Sequence, residues 1–457
     1  MTSTDRNRWA ALYVLCAGML MIVLDATIVN VALPSIQDDL GFSQSNLAWV
    51  VNAYLIAFGG LLLLAGRAGD LLGQRRVFLV GLAVFTAASL LCAVAQTQEM
   101  LVAARFVQGV GGALTSAVVL GMIVTMFPEP REQAKALGVY GFVASAGGSI
   151  GLLTGGVLTD AISWHWIFFI NVPIGIATGV LAVRLIAARP GLGIAAGADL
   201  RGALMLTVGL MLGVYTILGV TEHGWTSGRT LGLGAVAAVL IAAFVVRQGR
   251  IANPLMPLRL FRSRDVTGSN LVMALLVVGM FGLFFLGALY LQRILGYSPL
   301  QVGLAFLPST VVMGITSLRL SARFAPRSIL VPSLLLIGGG MLLFARTPVD
   351  GTYVVDVLPA TILVGLGAGL STPALMTLAM SGATPSDAGL ASGLANTTVQ
   401  VGGAIGLAVL ATLASERTGA SQAAADLNAG YHLAFLIGAI AMGAAVLVAA
   451  TLLRTRR

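Results

Sequence analysis

The first long apolar stretch of the chain reads WAALYVLCAGMLMIVLDATIVNVAL, from Trp9 to Leu33. A helix rises about 1.5 Å per residue, so about 20 apolar residues cross the roughly 30 Å hydrocarbon core of a bilayer. The stretch is long enough to span a membrane, yet it contains a carboxylate, Asp25. A carboxylate in the middle of a membrane helix costs about 2.5–3.5 kcal/mol even on translocon-insertion scales, and such groups face a partner or a cavity. The sequence therefore predicts a membrane helix with a functional acid inside it.

The composition extends this prediction to the whole chain. Hydrophobic residues make up 58% and charged residues 9% of the 457 positions, and the mean hydropathy is +0.97. These values exclude a soluble globular protein and are typical of multi-spanning helical membrane proteins. The first stretch is too long for the apolar region of a signal peptide and has no small-residue cleavage site after it, so we expect it to remain in the mature protein.

Cysteines and charge narrow the function classes further. Cys16 and Cys92 are the only cysteines and lie in apolar runs, so no disulfide framework or thiolate metal site is available, and no cofactor is expected. The net charge is +9, but the arginines are scattered through short loops, and a nucleic-acid partner is not expected. The single lysine, Lys135, lies in no glycine-rich phosphate loop, which argues against ATP as the energy source.

Fourteen apolar runs follow one another along the chain. They lie near residues 9–33, 47–66, 77–95, 99–126, 134–157, 164–187, 201–221, 229–247, 267–291, 300–318, 328–345, 355–380, 388–414 and 430–453. Internal prolines such as Pro173, Pro308 and Pro373 do not exclude a helix, because neighbouring helices and polar side chains satisfy the freed backbone groups. The predicted fold class is an all-α integral membrane protein with 14 transmembrane helices.

The distribution of basic residues predicts the orientation. An even number of spans places both termini on one side of the membrane, and cytoplasmic loops are enriched in Lys and Arg. One set of loops, together with the tails, carries 21 of the 26 basic residues. The opposite loops carry Arg229, Arg293, Arg346 and Arg417, while Arg105 lies within a helix. We therefore expect a multi-pass protein of the cell membrane with both termini in the cytoplasm.

A faint internal repeat predicts two six-helix bundles. Residues 66–75, GRAGDLLGQR, follow span 2, and residues 318–327, LRLSARFAPR, follow span 10 with two arginines in register. Duplicated bundles that rock about a central site are the common plan of secondary transporters. The expected domains are an N-terminal six-helix bundle at 1–190, two inserted helices at 191–250 and a C-terminal six-helix bundle at 251–457.

Four motifs carry a resemblance to a known family. Span 1 reads LDATIVNVALP over residues 24–34, and span 4 reads RFVQGVGG over residues 105–112. Residues 66–76 match the pattern Gly-X-X-X-Asp-X-X-Gly-X-Arg-Arg, and residues 163–173 read SWHWIFFINVP. In these motifs the chain resembles the fourteen-helix drug:proton antiporters of the major facilitator superfamily. The resemblance implies the major-facilitator fold and a proton-coupled antiporter that exports small, largely hydrophobic drugs, dyes or antibiotics from the cytoplasm by alternating access.

One position departs from the family pattern. The antiporter motif of span 5 ordinarily has Gly-Pro before its closing glycine pair, and here Gly151 is followed by Leu152. The missing proline leaves symport open, while the other motifs favour export. The remaining glycines are Gly147, Gly151, Gly155 and Gly156. Three of them recur every four residues and form a smooth ridge, which serves either ordinary close packing or gating.

The candidate proton-coupling site joins Asp25 with Arg105. They lie about eight and about six residues from the predicted outer ends of spans 1 and 4, which corresponds to depths of roughly 12 Å and 9 Å. If these spans are neighbours, as the resemblance implies, the guanidinium favours the ionised carboxylate and a closed apolar pocket favours the protonated one. We hypothesise that Asp25 carries the proton and Arg105 modulates it, with Gln108 as a polar partner. A structural ion pair that only joins two helices is the alternative.

Two further sets of residues are candidates for gating and substrate contact. The cytoplasmic gate motif comprises Gly66, Arg67, Asp70, Gly73, Arg75 and Arg76. We expect it to hold the inner gate closed in the outward-facing state, although its arginines also enforce the topology. The candidate residues of the substrate cavity are Asn30, Asn52, Tyr54, Gln108, Asn396 and Gln400. Each of them can instead form an interhelical hydrogen bond.

Two rival functions remain open at this point. An exporter of an endogenous metabolite or lipid precursor would share every motif and differ only in the lining of its cavity. An integral-membrane enzyme would need a cluster of catalytic polar groups near an interface, and the sequence shows none, so the chain is not expected to be an enzyme. The expected partners are a small-molecule substrate, protons and membrane lipid, and the chain is expected to act as a monomer.

Overall fold

The computed structural model describes residues 3–453, except 189, 192, 194–198, 252–253, 257, 318–323, 381–387 and 420. The described residues form helices and no β-strand. The long helices are α1 (Ser3–Leu40), α2 (Gln44–Leu72), α3 (Gln74–Ala93), α4 (Gln98–Met126), α5 (Pro130–Ala161), α6 (Asn171–Leu185), α7 (Leu200–Leu218), α8 (Gly228–Gln248), α9 (Arg264–Leu289), α10 (Pro299–Ile315), α11 (Pro326–Phe344), α12 (Leu358–Met380), α13 (Ala388–Thr418) and α14 (Ala424–Leu452). Shorter turns of α, 3₁₀ or π type lie at Trp166–Phe169, Val220–His223, Leu258–Arg262, Tyr290–Ile294 and Tyr353–Val357.

Within the described residues, 12 of these helices are long and apolar enough to cross a membrane. The other two, α5 and α10, contribute the shorter apolar segments Ile150–Ala161 and Pro299–Ile315. Together they correspond to the fourteen predicted spans, and the all-α membrane fold is confirmed. One boundary differs in α1, which continues through Pro34 to Leu40 instead of ending near Leu33.

Side chains that accept a hydrogen bond from the first turn start many of the helices. These N-cap residues are Ser43, Thr97, Asp199, Ser227, Ser263 and Ser298. Each satisfies one of the backbone N–H groups that a helix start leaves unpaired. Between α2 and α3 a single residue makes the turn, and it is Gly73, whose φ of 95° is disfavoured for residues with a side chain.

The helices pack in two groups with an inserted pair. In the first group, α1–α6, the closest pairings are α3 with α4, α2 with α4 and α1 with α5. In the second group, α9–α14, α11 packs on α12, and α9 packs on both α13 and α14. The groups meet along α2 with α13 and α5 with α10. The inserted α7 lies against α2, α13 and α8, whereas α8 is supported mainly by α7.

A buried carboxylate fastens the two inserted helices to each other. Asp199 Oδ1 accepts a hydrogen bond from Gly202 N at 2.9 Å and from Arg247 Nε at 2.7 Å, and its Oδ2 accepts one from Gln248 Nε2 at 2.7 Å. Burial alone would raise the pKa of the Asp199 carboxyl, but these hydrogen bonds together hold that pKa below its usual value. The ionised carboxylate is thus the form that stabilises the start of α7 against the end of α8.

We expect Asp199→Ala to lower the free energy of unfolding by about 1–2 kcal/mol at pH 7, because it removes the helix cap and a partner of Arg247. Since folding lowers the pKa, this stabilisation is complete above the ordinary pKa of aspartate and is lost as the pH falls toward the folded-state value. Thermal unfolding of the purified protein at neutral and acidic pH measures both effects. Asp160→Ala removes an exposed acid at the end of α5 and should leave the transition unchanged.

Candidate functional site

Asp25 lies on α1 in the interior of the first group, and it is 0% exposed. Arg105 Nη1, on α4, donates to Asp25 Oδ2 at 2.6 Å. Two amides donate to Oδ1: Gln108 Nε2 at 2.7 Å and Asn171 Nδ2, on α6, at 3.0 Å. The carboxylate therefore accepts hydrogen bonds from three side chains, and the structure brings together Asp25, Arg105 and Gln108, which the sequence had singled out.

Arg105 has partners besides the carboxylate. Its Nε donates to Val50 O on α2 at 2.9 Å, and its Nη1 also donates to Gln108 Oε1 at 2.6 Å. The guanidinium carbon lies 4.4 Å from the ring centroid of Tyr54 and 5.6 Å from that of Phe168. Aromatic faces attract a cation, and more strongly where water is excluded. The guanidinium would therefore keep these partners if Asp25 became neutral.

A second layer of polar groups holds Gln108 in place. Its Nε2 donates to Ser89 Oγ on α3 at 2.7 Å, and Cys92 Sγ lies 3.7 Å from its Oε1. Sequence reasoning assigned no role to Ser89 or Asn171. Asn171 is a polar residue inside one of the four motifs, and this was the available signal. Nothing marks Ser89, because single serines are common in membrane helices.

Glycines on α4 set the position of Arg105. A Cβ on Gly109 would lie 2.4 Å from Tyr54 O on α2, and one on Gly111 would lie 2.4 Å from Phe85 N on α3. Such distances are far inside van der Waals contact, so α2 and α3 approach α4 this closely only because these residues lack a side chain. The close approach places Arg105 within reach of Val50 O and Asp25.

The candidate substrate residues fall into two sets. Asn52, Tyr54 and Gln108 are buried, and neither polar atom of Asn52 has a hydrogen-bond partner among the residues that the structure describes. Asn30, Asn396 and Gln400 are partly exposed. Asn30 Nδ2 lies 3.5 Å and 3.3 Å from carbonyl oxygens of its own helix.

The predicted gate motif lies at the junction of α2 and α3. Arg75 Nη2 donates to Val183 O near the end of α6 at 2.6 Å, where helix carbonyls lack backbone partners. Asp70 is exposed and lies 4.0 Å from Arg67, one turn earlier on the same helix. Arg76 is also exposed, and a Cβ on Gly66 would meet nothing within 4 Å. Within the described residues, no ion pair of Asp70 reaches the second group.

The span-5 glycines face two different neighbours. Ideal Cβ atoms on Gly147, Gly151 and Gly155 would meet α1, the last two within 2.9 Å of α1 backbone oxygens. A Cβ on Gly156 would instead lie 2.7 Å from Leu300 Cα on α10. Leu152, where the family ordinarily has proline, is buried at this second contact. The glycine ridge therefore packs inside the first group, whereas Gly156 and Leu152 contact α10 of the second group.

A set of polar contacts, which we call the clasp, joins the groups at the face where α1 ends. It comprises Val31 and Asp38 of α1 with Gln292 and Arg293 of the turn after α9. Gln292 Nε2 donates to Val31 O at 2.9 Å, and Arg293 Nη2 pairs with the Asp38 carboxylate. Arg293 Nη2 also lies 3.3 Å from Gln37 Oε1. The clasp closes this face of the molecule.

Comparison with known proteins identifies the family. The sequence-family model of the Major Facilitator Superfamily matches residues 15–407 of this chain. The chain belongs to the Major Facilitator Superfamily. This major facilitator is 40% identical to the puromycin resistance protein pur8 of Streptomyces alboniger, over 85% of this chain and 78% of that protein. It is 39% identical to the cephamycin export protein CmcT of Amycolatopsis lactamdurans, over 86% of this chain and 82% of that protein.

Solved structures support the same fold. A bacterial homologue of the human lysosomal transporter Spinster, in an inward-facing and unoccupied conformation, superposes with a TM-score of 0.68 at 15% identity and covers 98% of both chains. Family and fold are those of membrane transporters, which are not enzymes. This major facilitator is therefore a multi-pass membrane transporter.

Proposed function

We propose that this major facilitator exports small, largely hydrophobic compounds, antibiotics among them, from the cytoplasm in exchange for protons. The observation that carries the proposal is the similarity to a puromycin resistance protein and a cephamycin export protein over 85% and 86% of the chain. The proposed machinery is that of a monomer with both termini in the cytoplasm, in which residues 1–190 and 251–457 move as two lobes and residues 191–250 form the inserted pair. Helix packing in two groups supports this division.

Asp25 is the proposed proton carrier, and the cluster around it supports this role. A buried ion pair loses its compensation when one partner is neutralised, which ordinarily costs several kcal/mol. Here Arg105 keeps Val50 O, Gln108 Oε1 and two aromatic faces when Asp25 is protonated. In both protonation states of Asp25 the guanidinium therefore keeps hydrogen-bond and aromatic partners, which lowers the cost of gaining and releasing a proton at this site.

The proposed cycle requires α1 to move, because Asp25 is 0% exposed in this conformation. One side of α1 packs against the glycine ridge of α5. Because these glycines have no side chains, this contact offers little resistance to movement of α1 along α5. At its end α1 is joined by the clasp to α9, so a rocking of the lobes that breaks the clasp pulls on α1 directly. The proposed consequence is that Asp25 exchanges its proton in the state that is open at this face. Arg105 would modulate the affinity of Asp25 for the proton.

With the proposed topology, the clasp closes the external face, and the structure corresponds to an inward-facing state. Asp70 is exposed, and among the side chains that the structure describes its ion-pair partner is Arg67 on its own helix, which fits a gate motif that is released in this state. Gly66, Gly73, Arg75 and Arg76 would complete the latch when the lobes close on the cytoplasmic side. Asn30, Asn396 and Gln400, partly exposed and uncharged, are the proposed substrate contacts, and Asn52, Tyr54 and Gln108 would reach substrate only after helix movement.

Expression in an antibiotic-sensitive bacterial strain tests the function. We expect higher inhibitory concentrations for puromycin and for other uncharged or weakly basic hydrophobic compounds in a broad panel. Inverted membrane vesicles should release internal protons when such a compound is added. An exporter restricted to one endogenous metabolite would give no resistance across the panel, and either that result or export without proton movement would contradict the proposal.

A further inference from the structure

A cavity of about 200 Å³ lies between α2 and the inserted helices α7 and α8. It is at the face where α1 ends, and it is separate from the Asp25 cluster. The lining residues include Asn46, Trp49, Tyr215, His223, Arg229 and Leu233. Drug-sized ligands occupy pockets of roughly 300–1,000 Å³, so this cavity is too small to be the substrate site. It combines aromatic rings, one cation and an apolar wall.

Arg229 supplies the positive charge of the cavity. Its Nη2 donates to Tyr215 Oη at 2.5 Å, and its Nη1 lies 2.7 Å from His223 Nε2. His223 Nδ1 lies 3.1 Å from Gly219 O, so Nδ1 carries the proton and Nε2 accepts from the guanidinium. Nearby, Glu416 accepts a hydrogen bond from Trp225 Nε1 at 3.2 Å.

Among the side chains that the structure describes, which do not include that of Glu222, no carboxylate forms an ion pair with Arg229. Arg247, Arg293 and Arg327 each have such a partner. Arg229 itself is exposed at the mouth of the cavity. Its contacts with Tyr215 and His223 hold the guanidinium in a fixed orientation, with donor capacity left for an anion.

The surroundings of the cavity are those of a membrane interface. Tyr215 is 44% exposed and Trp225 46% exposed, and such aromatic residues concentrate at the level of lipid headgroups. Below them α8 presents an outward apolar face that includes Leu231, Val236 and Val239. Because α8 has few neighbours besides α7, acyl chains have direct access to this face. A lipid whose headgroup lies at Arg229 could therefore extend its acyl chains along α8.

We propose that this cavity binds the phosphate headgroup of an anionic phospholipid. Arg229 binds the phosphate, Asn46 and Thr230 offer further polar contacts from the lining, and Trp49 and Tyr215 border the glycerol region. The bound lipid would link α2 with α7 and α8, and so fasten the inserted pair to the first group.

Native mass spectrometry of the purified full chain tests the proposal, with dioleoyl phosphatidylglycerol and dioleoyl phosphatidylcholine as probes. We expect one phosphatidylglycerol to be retained about tenfold more tightly than phosphatidylcholine. Both lipids offer a phosphate to Arg229, but the choline cation of phosphatidylcholine would lie beside the guanidinium and offset the attraction. Arg229→Gln should remove this preference. Tyr215→Phe, which keeps the charge and removes a partner that orients it, should weaken the binding several-fold and gives a second readout if Arg229→Gln fails to fold.

Arg346→Gln is the matched control, since it removes an exposed arginine on the loop after α11, away from the cavity. The preference for phosphatidylglycerol should survive in this variant. Equal retention of the two lipids by the unaltered protein, or equal loss in Arg346→Gln and Arg229→Gln, would overturn the proposal. Millimolar inorganic phosphate is the last arm, and displacement of phosphatidylglycerol by it would show that the site takes a free anion instead of a lipid.

Discussion

Asp25→Asn is expected to abolish proton-driven export. The amide keeps the shape of the carboxylate but cannot gain or release a proton. One proton moving through about 100 mV is worth about 2.3 kcal/mol, which sustains a roughly fiftyfold substrate gradient. We expect this gradient to collapse toward unity in inverted vesicles that are energised by respiration. Asp160→Asn, at the exposed end of α5, controls for loss of an acid near the membrane and should transport normally.

The double variant Asp25→Asn/Arg105→Gln separates coupling from structure. The single variant leaves a charged Arg105 in the interior. Breaking a buried pair ordinarily costs about 3–5 kcal/mol, and the loss should stay below this because Arg105 keeps Val50 O, Gln108 Oε1 and two aromatic faces. The double variant removes both charges, so thermal stability should recover while proton-driven export stays absent. If the pair only joins two helices, the double variant will recover export together with stability. That outcome would refute the role of Asp25 as proton carrier.

The helices could be predicted from the sequence because the bilayer imposes a length on each apolar run. Backbone polar groups have no partners in lipid, so any apolar run of about 20 residues must be helical. The end of α1 at Leu40 could not be read from hydropathy, since the last residues after Pro34 include the polar Gln37 and Asp38. These residues are held in the helix beside Arg293 of the second group, through contacts that depend on the tertiary arrangement.

The Asp25 cluster could be predicted only where its members are conspicuous in sequence. A carboxylate and a guanidinium inside apolar runs carry a high cost, and their matched depths place them together. Asn171 and Ser89 cost little in a membrane helix and give no such signal. Arg75 donates to the backbone carbonyl of Val183. A pattern of side chains in the sequence cannot predict such a contact. The clasp joins Asp38 of α1 with Arg293 of the turn after α9, from opposite halves of the chain, so it depends on how the two groups pack against each other.

Gly303→Val is expected to shift the protein toward the state that is open at the clasp. A Cβ on Gly303 of α10 would lie 2.5 Å from Leu152 O and 3.5 Å from Leu153 Cα, both on α5. These helices belong to different groups, so the added side chain forces the groups apart instead of disturbing the packing within one. Overpacking costs about 1–3 kcal/mol, which corresponds to a shift of roughly five- to 150-fold between two conformations.

Cysteine accessibility measures this shift. The native Cys16 and Cys92 are buried and should not react. Val31 belongs to the clasp and is 0% exposed, so the reaction of Val31→Cys with a membrane-impermeant maleimide reports opening at this face. Gly303→Val should accelerate its labelling at least about fivefold and slow export, because the lobes close less readily. Gly314→Val is the matched control, since it adds the same side chain to the same helix at a position with nothing within 4 Å. Equal labelling in the two variants would show that contact between α5 and α10 does not control this face, and the clasp would then have to open independently of that contact.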